Sequence, residues 1–225
     1  MKKKAIIIGS TGLIGNYLLE LLLNNENFET ILALVRQPMS SKNKKLKYLQ
    51  TNFENLENIS DQIQGDCLFI CVGSTIAKSK TKEAFFKIDY KLPVDISALA
   101  IKNGITTCLV VSSLGANAHS SNFYLQTKGK MEHDIEKLGF KSLVFMRPSL
   151  LFGARQEFRL GELIGKFTMK LMGPLFIGPL KKYRGIEGKT VAIAMLKTSL
   201  QENSGISIYE SDKIEILAKQ TQINN

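Results

Sequence analysis

The sequence predicts a three-layer α/β/α fold, a doubly wound parallel sheet covered on both faces by helices. Three observations carry this. Short apolar runs alternate with longer amphipathic ones along almost the whole chain. A glycine-spaced turn follows the first apolar run directly. No linker or internal repeat divides the 225 residues, a length suited to one domain, 1–225.

The elements follow in order. Ala5–Ile8 is the first strand, and the turn after it opens an amphipathic helix over Leu13–Asn24. Thr30–Val35 is the second strand, with a weaker one at Lys47–Gln50 and a poor helix at Asn55–Ile63. Cys67–Val72, Thr107–Ser112, Leu143–Met146 and Ile206–Tyr209 read as further strands. Helices are predicted over Lys82–Lys102, Tyr124–Leu138, Leu160–Leu171 and Thr190–Leu200. Pro93 predicts a kink or restart in the first of these, and Gly104 and Gly139 predict C-terminal stops. Lys219–Asn225 is polar and predicted to fray.

The net charge of +10 first suggests a nucleic-acid or acidic-membrane partner. The lysines lie in short clusters, Lys2–Lys4, Lys42–Lys47, Lys78–Lys82 and Lys181–Arg184, with no aromatic platform between them. That pattern fits a solvated surface attracting a phosphorylated cofactor or substrate, and argues against nucleic acid. No run is long and apolar enough to span a bilayer, and the apolar run before Gly9 is too short for a secretory signal, so the expected location is cytoplasmic. Residues 165–184 mix apolar and basic side chains, but Gly173, Pro174, Gly178 and Pro179 break any long amphipathic helix there. This favours a substrate-side cover over 149–190 rather than a membrane contact. Cys67, Cys71 and Cys108 lie in apolar runs and fit a reducing compartment. Their spacing, with only His119 and His133 as imidazoles, offers no metal site.

Gly9, Gly12 and Gly15 sit between strand and helix, where a dinucleotide-binding loop needs them. A side chain in that turn would hold a pyrophosphate away from backbone N–H groups and the positive helix end. Ser10, Thr11, Leu13 and Ile14 complete the loop, with Ser10 and Thr11 as candidate phosphate or ribose contacts. The second strand ends at Arg36, where an NAD-selective protein usually places an acid. A carboxylate repels a 2′-phosphate and a guanidinium binds it with two hydrogen bonds, so NADP(H) is expected in preference to NAD(H). Cys71, Val72 and Gly73 end the fourth strand at the edge where ligands sit in open α/β sheets.

The fifth strand ends in Ser112 and Ser113, and Tyr124 and Lys128 follow on the next helix at a spacing that shares one face. GSTGLIG, a serine after the fifth strand and Tyr-x-x-x-Lys eleven residues later together resemble a short-chain dehydrogenase/reductase of the Rossmann type. SSNFYLQTKGKMEHDIEKLGF and FMRPSLLFGARQEFRLGE are similar to its atypical branch related to the human Tat-interacting oxidoreductase-like protein. The resemblance runs from Ile6 to about Leu200.

It implies that Tyr124 transfers a proton, Lys128 binds the nicotinamide ribose and lowers the phenol pKa, and Ser113 holds the substrate oxygen. It places Arg147 and Pro148 beside the nicotinamide, and leaves Arg155, Arg159 and Glu162 between substrate contacts and a solvated loop. The family's asparagine in the helix after the fourth strand has no counterpart; the stretch reads FKIDYKLP, with Asp89 and Tyr90. The segment after the sixth strand is short beside that of members handling nucleotide sugars, which favours a small substrate. The expected function is therefore an NADP(H)-dependent oxidoreductase acting on a small carbonyl or alcohol. The alternative is an NADP(H)-binding regulator that acts through a protein partner; the oligomeric state stays open.

Overall fold

The computed structural model describes residues 2–153 and 178–220. β1 (Lys3–Ile8), β2 (Phe28–Val35), β3 (Leu46–Gln50), β4 (Cys67–Ile70), β5 (Thr107–Val111), β6 (Ser142–Arg147) and β9 (Gly205–Glu210) form one sheet in the order β3-β2-β1-β4-β5-β6-β9. Every pairing is parallel, so each connection must cross a face of the sheet. The order reverses direction between β1 and β4, the point at which doubly wound sheets open a crevice. This is the Rossmann-type architecture expected from the sequence.

Each central strand is a continuous apolar run because both its faces are covered. Ile7, Phe69, Leu109 and Val144 point to one side, where α1 (Leu13–Asn24), α6 (Gly188–Ser199) and α7 (Ser211–Lys219) supply Leu18, Leu22, Val191, Met195, Ile214 and Leu217. Ile6, Ile8, Leu68, Val110 and Phe145 point to the other, against Ile96, Leu99, Met131 and Ile135 of α4 (Leu92–Lys102) and α5 (Phe123–Glu136). Burying such a side chain contributes on the order of 2 kcal/mol, so these two cores dominate stability.

The segment predicted as one helix over Lys82–Lys102 is divided. After the short α2 (Ile76–Ser79), α3 (Lys82–Phe86) runs into a π-helical turn, Lys87–Lys91, and then into α4. Pro93 lies in the first turn of α4, and its missing N–H interrupts the i→i−4 ladder directly after the π-helical turn. β2 begins earlier than predicted because Phe28 is fully buried edge-on to Phe69, with ring centroids 6.4 Å apart.

The sequence reading lacked α7 and a small parallel pair, β7 (Leu151–Phe152) and β8 (Ile186–Glu187). Buried Ser211 at the start of α7 accepts a hydrogen bond from Ser149 N at 2.9 Å, and the Ser149 hydroxyl donates to the Arg184 carbonyl. One serine thus gathers the exit of β6, the approach to β8 and the start of α7. The predicted helix Leu160–Leu171, and Arg155, Arg159 and Glu162, lie outside the described residues, as does most of the expected cover.

The loop after β5 lies directly on α5. A Cβ on Gly129 would fall 2.1 Å from the Asn117 carbonyl carbon and 2.2 Å from Ala118 N. Relief would require backbone to move, not a side chain. Gly129→Ala is therefore expected to destabilise the fold by about 2–4 kcal/mol, read as a lower denaturant midpoint in chemical unfolding. A midpoint at the wild-type value would show that the loop yields freely.

Candidate functional site at the carboxyl edge of the sheet

The glycine turn is built from backbone packed on backbone. Gly9 has φ +82°, and a Cβ there would sit 2.6 Å from the Cys71 carbonyl carbon and 2.7 Å from Val72 N. A Cβ on Gly15 would lie 2.1 Å from the Gly9 oxygen. Gly12 N donates to that oxygen at 2.9 Å, and Gly12 starts α1 without any side-chain cap. Ser10 is 2 % exposed, yet its hydroxyl has no hydrogen-bond partner among the described residues. A turn clear of side chains, an uncapped helix start and an unpartnered buried hydroxyl together fit the pyrophosphate of a nicotinamide dinucleotide.

Thr11 is exposed beside this turn. The Leu13 side chain packs against Gly153 and Gly188, and Ile14 is buried in the core beneath α1. These two residues offer the turn only their backbone. Arg36 is exposed just past β2, the strand paired with β1, and its carbonyl accepts from Gln50 Nε2 at 3.4 Å.

Cys71, Val72 and Gly73 leave β4 next to the turn, Cys71 N donating to the Ile8 carbonyl at 2.9 Å. Burial pushes the Cys71 thiol well above its ordinary pKa and the Cys67 thiol up to about 11, so neither is a thiolate at neutral pH. Gly73 lies beside a buried charged pair: a Cβ on it would stand 3.6 Å from Asp89 Oδ1 and 3.8 Å from Lys128 Nζ.

α5 presents Tyr124 and Lys128 one turn apart. Asn122 caps its start by accepting from Leu125 N at 3.2 Å, and the Tyr124 ring packs on Phe85 with centroids 5.5 Å apart. Lys128 is 3 % exposed, with Nζ 2.8 Å from Asp89 Oδ1. That oxygen lacks a well-aligned hydrogen bond, so the contact is a close ion pair. Burial lowers the Lys128 pKa, but Asp89, then Tyr124 and Glu132, outweigh it and hold the ammonium above the ordinary lysine value.

Ser112 and Ser113 arrive from β5. Ser112 N donates to the Met146 carbonyl at 2.7 Å and its buried hydroxyl has no partner among the described residues. Ser113 is half-buried, with only a long 3.4 Å contact from its hydroxyl to the Leu114 carbonyl. Leu114 N donates to the carbonyl of buried Pro148 at 2.9 Å, which holds the ends of β5 and β6 together. Arg147 forks onto Glu132 of α5, with Nε 3.0 Å from Oε1 and a second bond to Oε2. The hydrogen bonds to Glu132 raise its pKa and fix two of its donors.

The structure thus brings Gly9, Gly12, Gly15, Gly73, Tyr124 and Lys128 to one edge and gives Arg147 a carboxylate partner inside the protein. Sequence reasoning noted Asp89 only as a departure and passed over Glu132 and Gly129. A legible signal was the i, i+4 spacing of Lys128 and Glu132; an acid beside Ile88 and Phe85 in a covered helix was another.

The family model described as the NAD dependent epimerase/dehydratase family matches residues 5–173. "Protein FMP52, mitochondrial" of Debaryomyces hansenii is 34% identical over 205 residues, covering 89% of this chain and 91% of its own. The protein of the same name from Candida albicans is 36% identical over 156 residues, 67% and 68% of the two chains. Among solved structures, Bordetella bronchiseptica WbmH in complex with NAD+ superposes with TM-score 0.71 at 14% identity, covering 97% of this chain and 80% of that one. The UDP-Glc/GlcNAc 4-epimerase of Campylobacter jejuni gives 0.68 at 14%, covering 95% and 82%. These structural likenesses carry the fold. The mitochondrial designation of the relatives overturns the cytoplasmic expectation. Free thiols fit any reducing compartment and do not separate the two.

Proposed function

The chain belongs to the NAD dependent epimerase/dehydratase family, and on that premise we propose that it is an NADP(H)-dependent oxidoreductase of short-chain dehydrogenase type acting on a small carbonyl or alcohol. The observation that carries this reading is the convergence of a side-chain-free glycine turn with Tyr124 and a buried, charged Lys128 at one sheet edge. When bound, a nicotinamide supplies or accepts the hydride. The chain's own groups move the proton and hold the oxygen. Tyr124 Oη exchanges a proton with the substrate oxygen, and the Ser113 hydroxyl donates a hydrogen bond to that oxygen. A phenol ordinarily ionises near pH 10, so proton abstraction at neutral pH requires a nearby cation, the part given to Lys128.

Arg36 supports the preference for NADP(H). It is exposed at the end of β2, and Gln37 and Pro38 follow it where an acid would otherwise accept bonds from the ribose.

Two substitutions test separate parts of this reading. Tyr124→Phe is expected to lower turnover by about a hundredfold or more while leaving the NADPH dissociation constant within about twofold. Turnover at the wild-type rate would remove Tyr124 from the chemistry. Arg36→Ala should weaken NADPH binding by about tenfold or more and NADH binding little, measured by calorimetry. Equal losses for the two cofactors would mean that another group reads the phosphate.

A further inference from the structure

Asp89 is fully buried in the π-helical turn Lys87–Lys91, a rare geometry that inserts one residue and re-aims side chains. Its two oxygens have different partners. Oδ1 stands 2.8 Å from Lys128 Nζ, and Oδ2 accepts a hydrogen bond from Ser74 N at 2.8 Å. Gly73 packs beside both charged groups. One carboxylate therefore joins α5 to the strand exit where the glycine turn and β4 meet.

A lysine this buried does not keep its charge unaided, because desolvation favours the neutral amine. The groups acting on the ammonium are Asp89 from the π-helical turn, and Tyr124 and Glu132 from its own helix. Glu132 is committed to the Arg147 fork. Among the described residues Asp89 is the carboxylate in direct contact. Ser74 N is satisfied by the same side chain, so the counter-ion is fixed in place as well as close.

We propose that Asp89 is a positioning residue that keeps Lys128 a charged ammonium and holds it against the Gly73–Ser74 backbone at the cofactor edge of the sheet. Its stability consequence stands independently of the proposed function; its consequence for binding rests on that reading.

Asp89→Asn preserves shape and an acceptor for Ser74 N but removes the counter-ion. In the wild type the folded-state pKa of Lys128 is raised, so its contribution to stability is complete below the unfolded lysine value of about 10 and is lost only above it. In Asp89→Asn burial, the largest influence on the ammonium, is opposed only by Tyr124 and Glu132 and lowers the folded-state value. The variant then carries a penalty that is largest at low pH and relaxes as pH rises toward about 10. The folding constant gains up to about tenfold per pH unit between the two values.

The test is chemical unfolding of the wild type, Asp89→Asn, Lys128→Met and the double variant from about pH 6 to about pH 9, with NADPH calorimetry at the upper end. The expected result is a stability of Asp89→Asn that climbs with pH relative to the wild type, and a double variant whose stability tracks the wild type. Asp89→Asn should bind NADPH no better than Lys128→Met at about pH 9. A constant stability deficit at every pH, or NADPH affinity retained by Asp89→Asn but lost by Lys128→Met, would overturn the proposal. If Asp89→Asn does not fold, a folded double variant supports it and an unfolded one overturns it. Failure of the wild type to bind NADPH would remove the cofactor reading and leave the pH result to decide the role of Asp89.

Discussion

The contact on which this site depends is the one at Gly9, where strand β1 turns into α1 with its backbone against the ends of β4 and α1 itself. The left-handed φ of +82° and the 2.6 Å approach of a would-be Cβ to the Cys71 carbonyl carbon leave room for hydrogen alone. Gly15 closes the same knot from the helix side, 2.1 Å from the Gly9 oxygen by the same measure. With those approaches fixed, the N-terminus of α1 lies at the sheet edge, and the residues leaving β4 pass directly beside it. A single methyl group at either glycine would separate the three elements. The same bareness that permits the packing leaves backbone N–H groups available to a phosphate, so fold and binding surface come from one constraint.

Four charged side chains then organise that edge: Asp89, Lys128, Glu132 and Arg147. At 2.8 Å, and at an effective dielectric of about 20, the Asp89–Lys128 attraction is about 6 kcal/mol. Taking each ion out of water costs several kcal/mol, so the pair roughly breaks even as a contributor to stability. Its consequence is placement, a cation held at a defined point near Tyr124. The Arg147–Glu132 fork differs in kind, being bidentate and nearer to solvent, and it braces β6 against α5. The lysine paired with Asp89 packs beside Gly73, whereas the arginine is turned onto Glu132 of α5.

The central strands were legible because a parallel sheet buried on both faces leaves continuous apolar runs, and all seven predicted strands, the two more exposed edges included, appear in the structure. The glycine turn was equally plain, since strand, glycines and helix occur in order within one stretch. Tyr124 and Lys128 could be paired because helical spacing is local. Asp89 could not be joined to Lys128 in the same way. Their contact crosses two segments and depends on a π-helical turn that the apolar pattern of Lys82–Lys102 does not announce. Gly129 drew no notice because the loop that crosses it comes from earlier in the chain. α7 was missed because its short apolar stripe, Ile214 and Leu217, follows β9 without an intervening breaker.

Calorimetric titration of the unmodified protein with NADPH, and separately with NADH, tests the central claim most directly. One site per chain that binds NADPH tighter than NADH by about tenfold or more is expected, the discrimination a charge-assisted phosphate contact supplies. Binding of neither cofactor would contradict it.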